Sequence, residues 1–176
     1  DPPAPASPSA PEEHAALSPT HQRGLEAAQE LERRGELDRS AAAYRELLGQ
    51  APGAGGAYIG LGRILLRQGN AGHAQGMFIK ALVLSPQHAG ELVRSLAREG
   101  RAAVARAALE KVITQALKEP EPDSVFLQRL GIQLRDTGQL TQAETLLRAA
   151  IKARPGDPAL EQDLATTLKL KDVITQ

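Results

Sequence analysis

From about residue 21 onward, the apolar residues of this 176-residue chain recur three or four positions apart. Tyr58, Leu61 and Leu65 make one such stripe, and Ala74, Phe78 and Ala81 make the next. Leu127, Leu130 and Leu134, then Ala143, Leu147 and Ala150, repeat the alternation. This spacing puts each set on one face of a helix, so the pattern predicts a succession of short amphipathic helices. Leu160, Leu164 and Leu168, four apart among Glu, Gln, Asp and Thr, predict one further helix near the end.

The helices are punctuated at a fixed period. Pro52, Pro86, Pro120 and Pro155 are 34, 34 and 35 residues apart, and Gly35, Gly69, Gly100 and Gly138 form a second series between them. Five residues after each of those glycines stands a small residue: Ser40, Ala74, Ala105 and Ala143. A glycine accepts the left-handed conformation that ends a first helix, and a proline stops the second. The small residue lets two helix axes approach closely. The units predicted in this way are 21–54, 55–88, 89–122 and 124–157, with a capping helix over 158–171 and a frayed end at 172–176.

Two units depart from the pattern. Gly24 occupies a position where a large residue normally packs, which predicts a slightly loose first helix. In the third unit Gly100 comes three residues early, while Leu92, Val93, Leu96, Ala105, Leu109 and Val112 keep register when counted from it. The expected result is a shortened turn after Pro86 and a longer second helix or exit loop. That exit, residues 118–124 (KEPEPDS), is acidic and stiffened by Pro120 and Pro122, and reads as a solvated spacer or a contact site.

A period of 34 residues, with Tyr58, Leu61, Gly62, Leu65, Gly69, Ala74, Phe78, Ala81 and Pro86 at fixed positions, resembles the tetratricopeptide repeat family. The resemblance covers about residues 21 to 170. It implies an all-α fold, a right-handed α-solenoid of about four helix pairs plus the cap. It also implies a concave groove lined by the first helix of each pair, which would hold a partner polypeptide. The lining positions that it assigns are Leu25, Gln29, Glu32 and Arg33 in the first unit and Ile59, Arg63, Leu66 and Arg67 in the second. Arg94 and Arg98 follow in the third, and Val125, Gln128, Ile132 and Arg135 in the fourth. Arg63 with Arg67, and Arg94 with Arg98, are four apart on one face, so a basic patch is expected in the central groove. Guanidinium groups bind carboxylates through paired hydrogen bonds, so the expected partner is an acidic segment with an apolar anchor for Ile59, Leu66 and Ile132. Leu25, Gln29 and Gly60 stand where the chaperone-binding members of the family hold a Lys and Asn carboxylate clamp, which disfavours a heat-shock co-chaperone role.

Composition narrows the remaining possibilities. Aromatics are 2%, so the core must be built from Leu, Ala, Ile and Val, the usual filling between helices. The 21 basic and 21 acidic side chains cancel, so no whole-molecule field draws the protein to nucleic acid. Without cysteine there is no disulfide, thiolate ligand or cysteine nucleophile. His14, His21, His73 and His88 have no metal-ligand partner at i+3 or i+4, and no nucleophile, base and orienting group converge. The glycine-rich stretch 53–62 follows a helix and lacks the GK[ST] ending of a phosphate loop. Neither an enzyme, a metal site nor a cofactor is expected.

Residues 1–20 hold six of the 12 prolines among Ala and Ser, and predict a disordered tether, partly polyproline II. The tether and a beginning at Asp1 give a layout that resembles bacterial repeat lipoproteins, such as the pilotins of tight-adherence and type IV pilus systems. The expectation is an adaptor attached at the periplasmic side of the outer membrane, through a lipidated residue before Asp1, that assists a pilus or secretion machine. The alternatives are a cytoplasmic scaffold and the regulatory region of a larger protein.

Overall fold

Each helix pair closes through the same backbone turn. At Gly35, Gly69, Gly100 and Gly138 the chain takes positive φ, between 71° and 81°, and the next residue's N–H reaches back to a carbonyl five residues earlier. Glu36 donates to Leu31, Asn70 to Leu65, Arg101 to Leu96 and Gln139 to Leu134, at 2.7 to 3.0 Å. This double-bonded helix end satisfies carbonyls that would otherwise be orphaned, and the left-handed residue costs glycine nothing. Second helices end differently, with an extended residue and a proline two positions beyond the last helical residue, as at Pro52 and Pro86.

The computed structural model describes residues 17–175, and among them are nine α-helices and no strand. The four pairs are α1 (Pro19–Arg33) with α2 (Leu37–Gln50), α3 (Gly55–Arg67) with α4 (Ala71–Leu84), α5 (Ala89–Arg98) with α6 (Ala102–Lys118), and α7 (Ser124–Asp136) with α8 (Leu140–Ala153). A 3-10 turn at Pro86–His88 leads into α5, and α9 (Pro158–Thr175) packs on α8 and α7. Residues 1–16, most of the expected tether, lie outside the described residues. The described fold begins before residue 21: Leu17 packs on the α1–α2 core, and the Ser18 hydroxyl caps α1 by accepting from the His21 N–H. At the other end, α9 runs on through 172–175.

Gly24 leaves no hole, because Leu47 comes within 3.7 Å of where a Cβ would stand. The small residue of each unit is fully buried. Ala74, Ala105 and Ala143 fill that position, and in the first pair Ser40 does so by donating its hydroxyl to the Ala28 carbonyl at 2.8 Å. The displaced Gly100 makes α5 only 10 residues long and α6 17, against 13 and 14 in the pair before. Asp123 ends the acidic loop by accepting from Val125 N–H and Phe126 N–H, so that loop supplies the cap of α7.

Candidate partner-binding cleft

The first helices of three successive pairs, α1, α3 and α5, line a cleft of about 350 Å³. Its wall carries Arg33, Arg63, Arg67 and Arg98 against Glu32 and Glu99, with Gln29 and Ser95 between them. Glu32 is the centre of this arrangement, although only 7% of its side chain is exposed.

A buried carboxylate survives only where its oxygens are satisfied. Arg63 donates from Nε to Oε1 at 3.0 Å and from Nη2 to Oε2 at 2.7 Å, a two-pronged grip. Arg67 approaches Oε1 to 3.3 Å, and the Tyr44 hydroxyl donates to Oε2 at 3.0 Å. Arg67 also grips Glu99 at 2.8 and 3.4 Å, so one ladder of charge joins α2, α1, α3 and α5. Burial alone would lower the Arg63 pKa, but the hydrogen bonds and charge of Glu32 outweigh it and raise it. Burial, and then the charge and hydrogen bond of Glu32, push the Tyr44 hydroxyl well above the ordinary phenol range, so it stays a donor.

Gly60 makes this ladder possible. A Cβ at Gly60 would lie 2.1 Å from Tyr44 Cζ and 2.4 Å from its hydroxyl oxygen. Only a bare helix surface lets the Tyr44 ring pass beneath α3 and reach Glu32.

The expected groove is therefore only partly present. Gln29, Arg63, Arg67 and Arg98 come together on the cleft wall. Arg94 stands apart from the wall, its guanidinium Nη1 3.1 Å from where a Gly90 Cβ would be. The basic patch is also weaker than the sequence pattern implies, because Glu32 and Glu99 neutralise Arg63 and Arg67. The apolar anchors are corrected outright: Leu25, Ile59 and Leu66 are buried in the core. Leu25 turns onto α3 at Gly56, and Ile59 and Leu66 join the cluster that holds Leu92 and Leu96 of α5. Each seals one pair against the next, which removes it from a partner's reach. Ile132 is half-buried. Gln128 and Arg135 face the cap instead, donating to Asp163 of α9 at 2.8 and 3.3 Å.

Glu99 is a cleft residue that sequence reasoning missed, and the pairing of Glu32 was not foreseen. Acidic residues just before the turn glycines, Glu32 near Gly35 and Glu99 beside Gly100, flank Arg67 in successive units. The arginines on that face were legible from their spacing of four, whereas Glu32 and Glu99 stand three and one residues before their turn glycines and share no fixed spacing.

Among the described residues no helix is long and apolar enough to cross a membrane, and no three His, Cys, Asp or Glu side chains gather as a metal site would need. No curated protein matches the chain. Similar solved structures include PilW, a widely conserved type IV pilus biogenesis factor, at 23% identity over 88% of this chain and 71% of that one, with a TM-score of 0.43. The Yersinia enterocolitica type III secretion chaperone SycD, solved with a peptide of the translocator YopD, is 13% identical over 91% of this chain and 98% of its own, with a TM-score of 0.38. YrrB, a repeat protein with an unusual peptide-binding site, is 22% identical over 92% and 80%, with a TM-score of 0.39. A tetratricopeptide repeat family model matches residues 25–89 and 91–158. With four glycine-turned helix pairs and a cap, and with most of its length matched, the chain belongs to the tetratricopeptide repeat family.

Proposed function

We propose that the chain is a non-enzymatic adaptor that seats an acidic segment of a partner polypeptide in the α1–α3–α5 cleft. The observation that carries this reading is the charge of the cleft wall: Arg63 and Arg67 are engaged by Glu32 and Glu99, Arg33 is paired with Glu30, and Arg98 is left over. Arg98 is exposed on the same wall, so a partner carboxylate has a guanidinium to meet there. Partner affinity then comes from charge and hydrogen bonding rather than from an apolar anchor.

The test is titration of a short Glu- and Asp-rich peptide, labelled for fluorescence anisotropy, against the protein. Binding should weaken as salt is raised. Arg98→Ala should weaken it about tenfold, the loss of about 1.4 kcal/mol expected for a charge-assisted hydrogen bond. Equal affinity for Arg98→Ala and wild type, or equal binding of a Lys-rich peptide, refutes the cleft as the site.

The finer reading is an adaptor at the cell envelope, attached through the segment before the fold and assisting a pilus or secretion machine. The proline-rich composition of residues 1–20 supports it, because such a segment spaces a folded domain from its attachment point. Cell fractionation of the natural protein tests this. Recovery in the cytosol alone defeats the envelope assignment and leaves the cleft reading standing.

A further inference from the structure

Glu99 lies in the cleft where a ligand carboxylate would lie. It accepts from the Nε and Nη2 edge of Arg67, at 3.4 and 2.8 Å. That edge of a guanidinium takes a carboxylate side-on, two N–H donors against two oxygens. The remaining nitrogen, Nη1, reaches Glu32 at 3.3 Å. Arg67 is therefore anchored on one side and occupied on the other.

The two glutamates of the cleft are held very differently. Glu32 is nearly buried and receives Arg63 twice, Arg67 and the Tyr44 hydroxyl. Glu99 is 24% exposed, and among the described residues Arg67 is the only partner of its carboxylate. Glu99 is also the residue that closes the short α5, its N–H bonded to the carbonyls of Ser95 and Ala97. A carboxylate there faces the negative end of the helix dipole. The residues before the turn glycines of the other pairs, Arg34, Gln68 and Thr137, carry no negative charge. Glu99 is thus the loosest member of the ladder. Its release returns a carboxylate to water, while Arg67 stays anchored on Glu32.

Resting on the reading of the cleft as a seat for an acidic segment, we propose that Glu99 is an internal stand-in for the partner's carboxylate, and that a bound segment displaces it from Arg67. Arg98, its neighbour in the chain and exposed on the same wall, meets one partner carboxylate directly. Arg67 meets a second only after Glu99 has left. Glu99 is in this way a specificity-determining residue: a segment with a single carboxylate gains Arg98 alone, and one with two gains Arg67 as well. With no partner present, the same contact keeps the Arg67 guanidinium paired.

Fluorescence anisotropy with the labelled Glu- and Asp-rich peptide tests this in a cycle of wild type, Glu99→Gln, Arg67→Met and the double variant, each shown by circular dichroism to fold. Glu99→Gln should tighten binding about fivefold, the strength of a partly exposed ion pair. In the Arg67→Met background the same substitution should change affinity by less than about twofold, because only screened repulsion is then removed. A fivefold gain that persists without Arg67 overturns the proposal, since Glu99 then acts through its charge alone. Unchanged affinity for Glu99→Gln also overturns it, and the cleft reading still stands if Arg98→Ala weakens binding. A peptide that neither wild type nor Glu99→Gln binds defeats both.

Discussion

Removing Glu32 should do more damage than the loss of any exposed ion pair in the molecule. The side chains of Glu32 and Arg63 are 7% and 15% exposed, so Glu32→Leu leaves a nearly buried guanidinium and the buried Tyr44 hydroxyl without their acceptor. Breaking a buried pair by deleting one partner costs about 3–5 kcal/mol. Arg67 keeps Glu99, and Arg63 retains some access to water, so the lower end, about 3 kcal/mol, is expected. For a chain of this size that is a fall in Tm of about 6–12 °C. Arg63→Met should cost somewhat less, because the Glu32 carboxylate keeps Arg67 and the Tyr44 hydroxyl. The double variant removes both charges and should lose at least about 2 kcal/mol less than the two single losses together. Urea denaturation followed by far-UV circular dichroism measures all four corners of the cycle. Single losses below about 1 kcal/mol, or a double variant that loses the full total, would falsify the claim that this is a buried, coupled ladder rather than a surface pair.

Two glycine substitutions on helices should have opposite signs. Gly60→Ala gains about 1 kcal/mol of helix propensity but drives a methyl into the Tyr44 ring 2.1 Å away, so it should destabilise by about 2 kcal/mol or more in a thermal melt. Gly76→Ala, on α4 with nothing within 4 Å, should instead stabilise by about 0.5–1 kcal/mol. The Glu91 carboxyl is held below its usual 4.5 by its hydrogen bond to His88, burial opposing, and by the charges of His88, Arg63 and Arg94. A lowered folded-state pKa means stability that is full above the unfolded value and lost as pH falls through the folded one. The Tm difference between wild type and Glu91→Gln should therefore be larger above about pH 4.5 and shrink as the pH falls below it. A difference that grows on acidification contradicts the assignment.

The fold was legible because its signals are local. A glycine that must take positive φ and a proline that cannot continue a helix announce themselves at each turn, and Gly35, Gly69, Gly100 and Gly138 do so at all four. The cleft was less legible, because a lining position is a statement about a helix's neighbours. Leu25, Ile59 and Leu66 have the spacing of groove residues, yet each is buried in the core. The start of the fold was misjudged by a few residues because Ser18 and Pro19 read as part of a proline-rich stretch. The same two residues make a helix start, with a hydroxyl cap followed by proline in the first turn.

The early glycine of the third pair illustrates how a repeat can change outline without changing length. Relative to α3 and α4, α5 is three residues shorter and α6 three residues longer, so the turn has slid along the chain with nothing inserted or deleted. Three residues are nearly one turn of helix, within about 60° of a full rotation, so a slide of this size hardly rotates the packing faces. Ala105, Leu109 and Val112 still point inward after it. What changes is the silhouette, recessed at the turn edge and projecting at the opposite one. In a stack of near-identical units, a slipped turn is a way to mark one unit as different while its neighbours pack against it as usual.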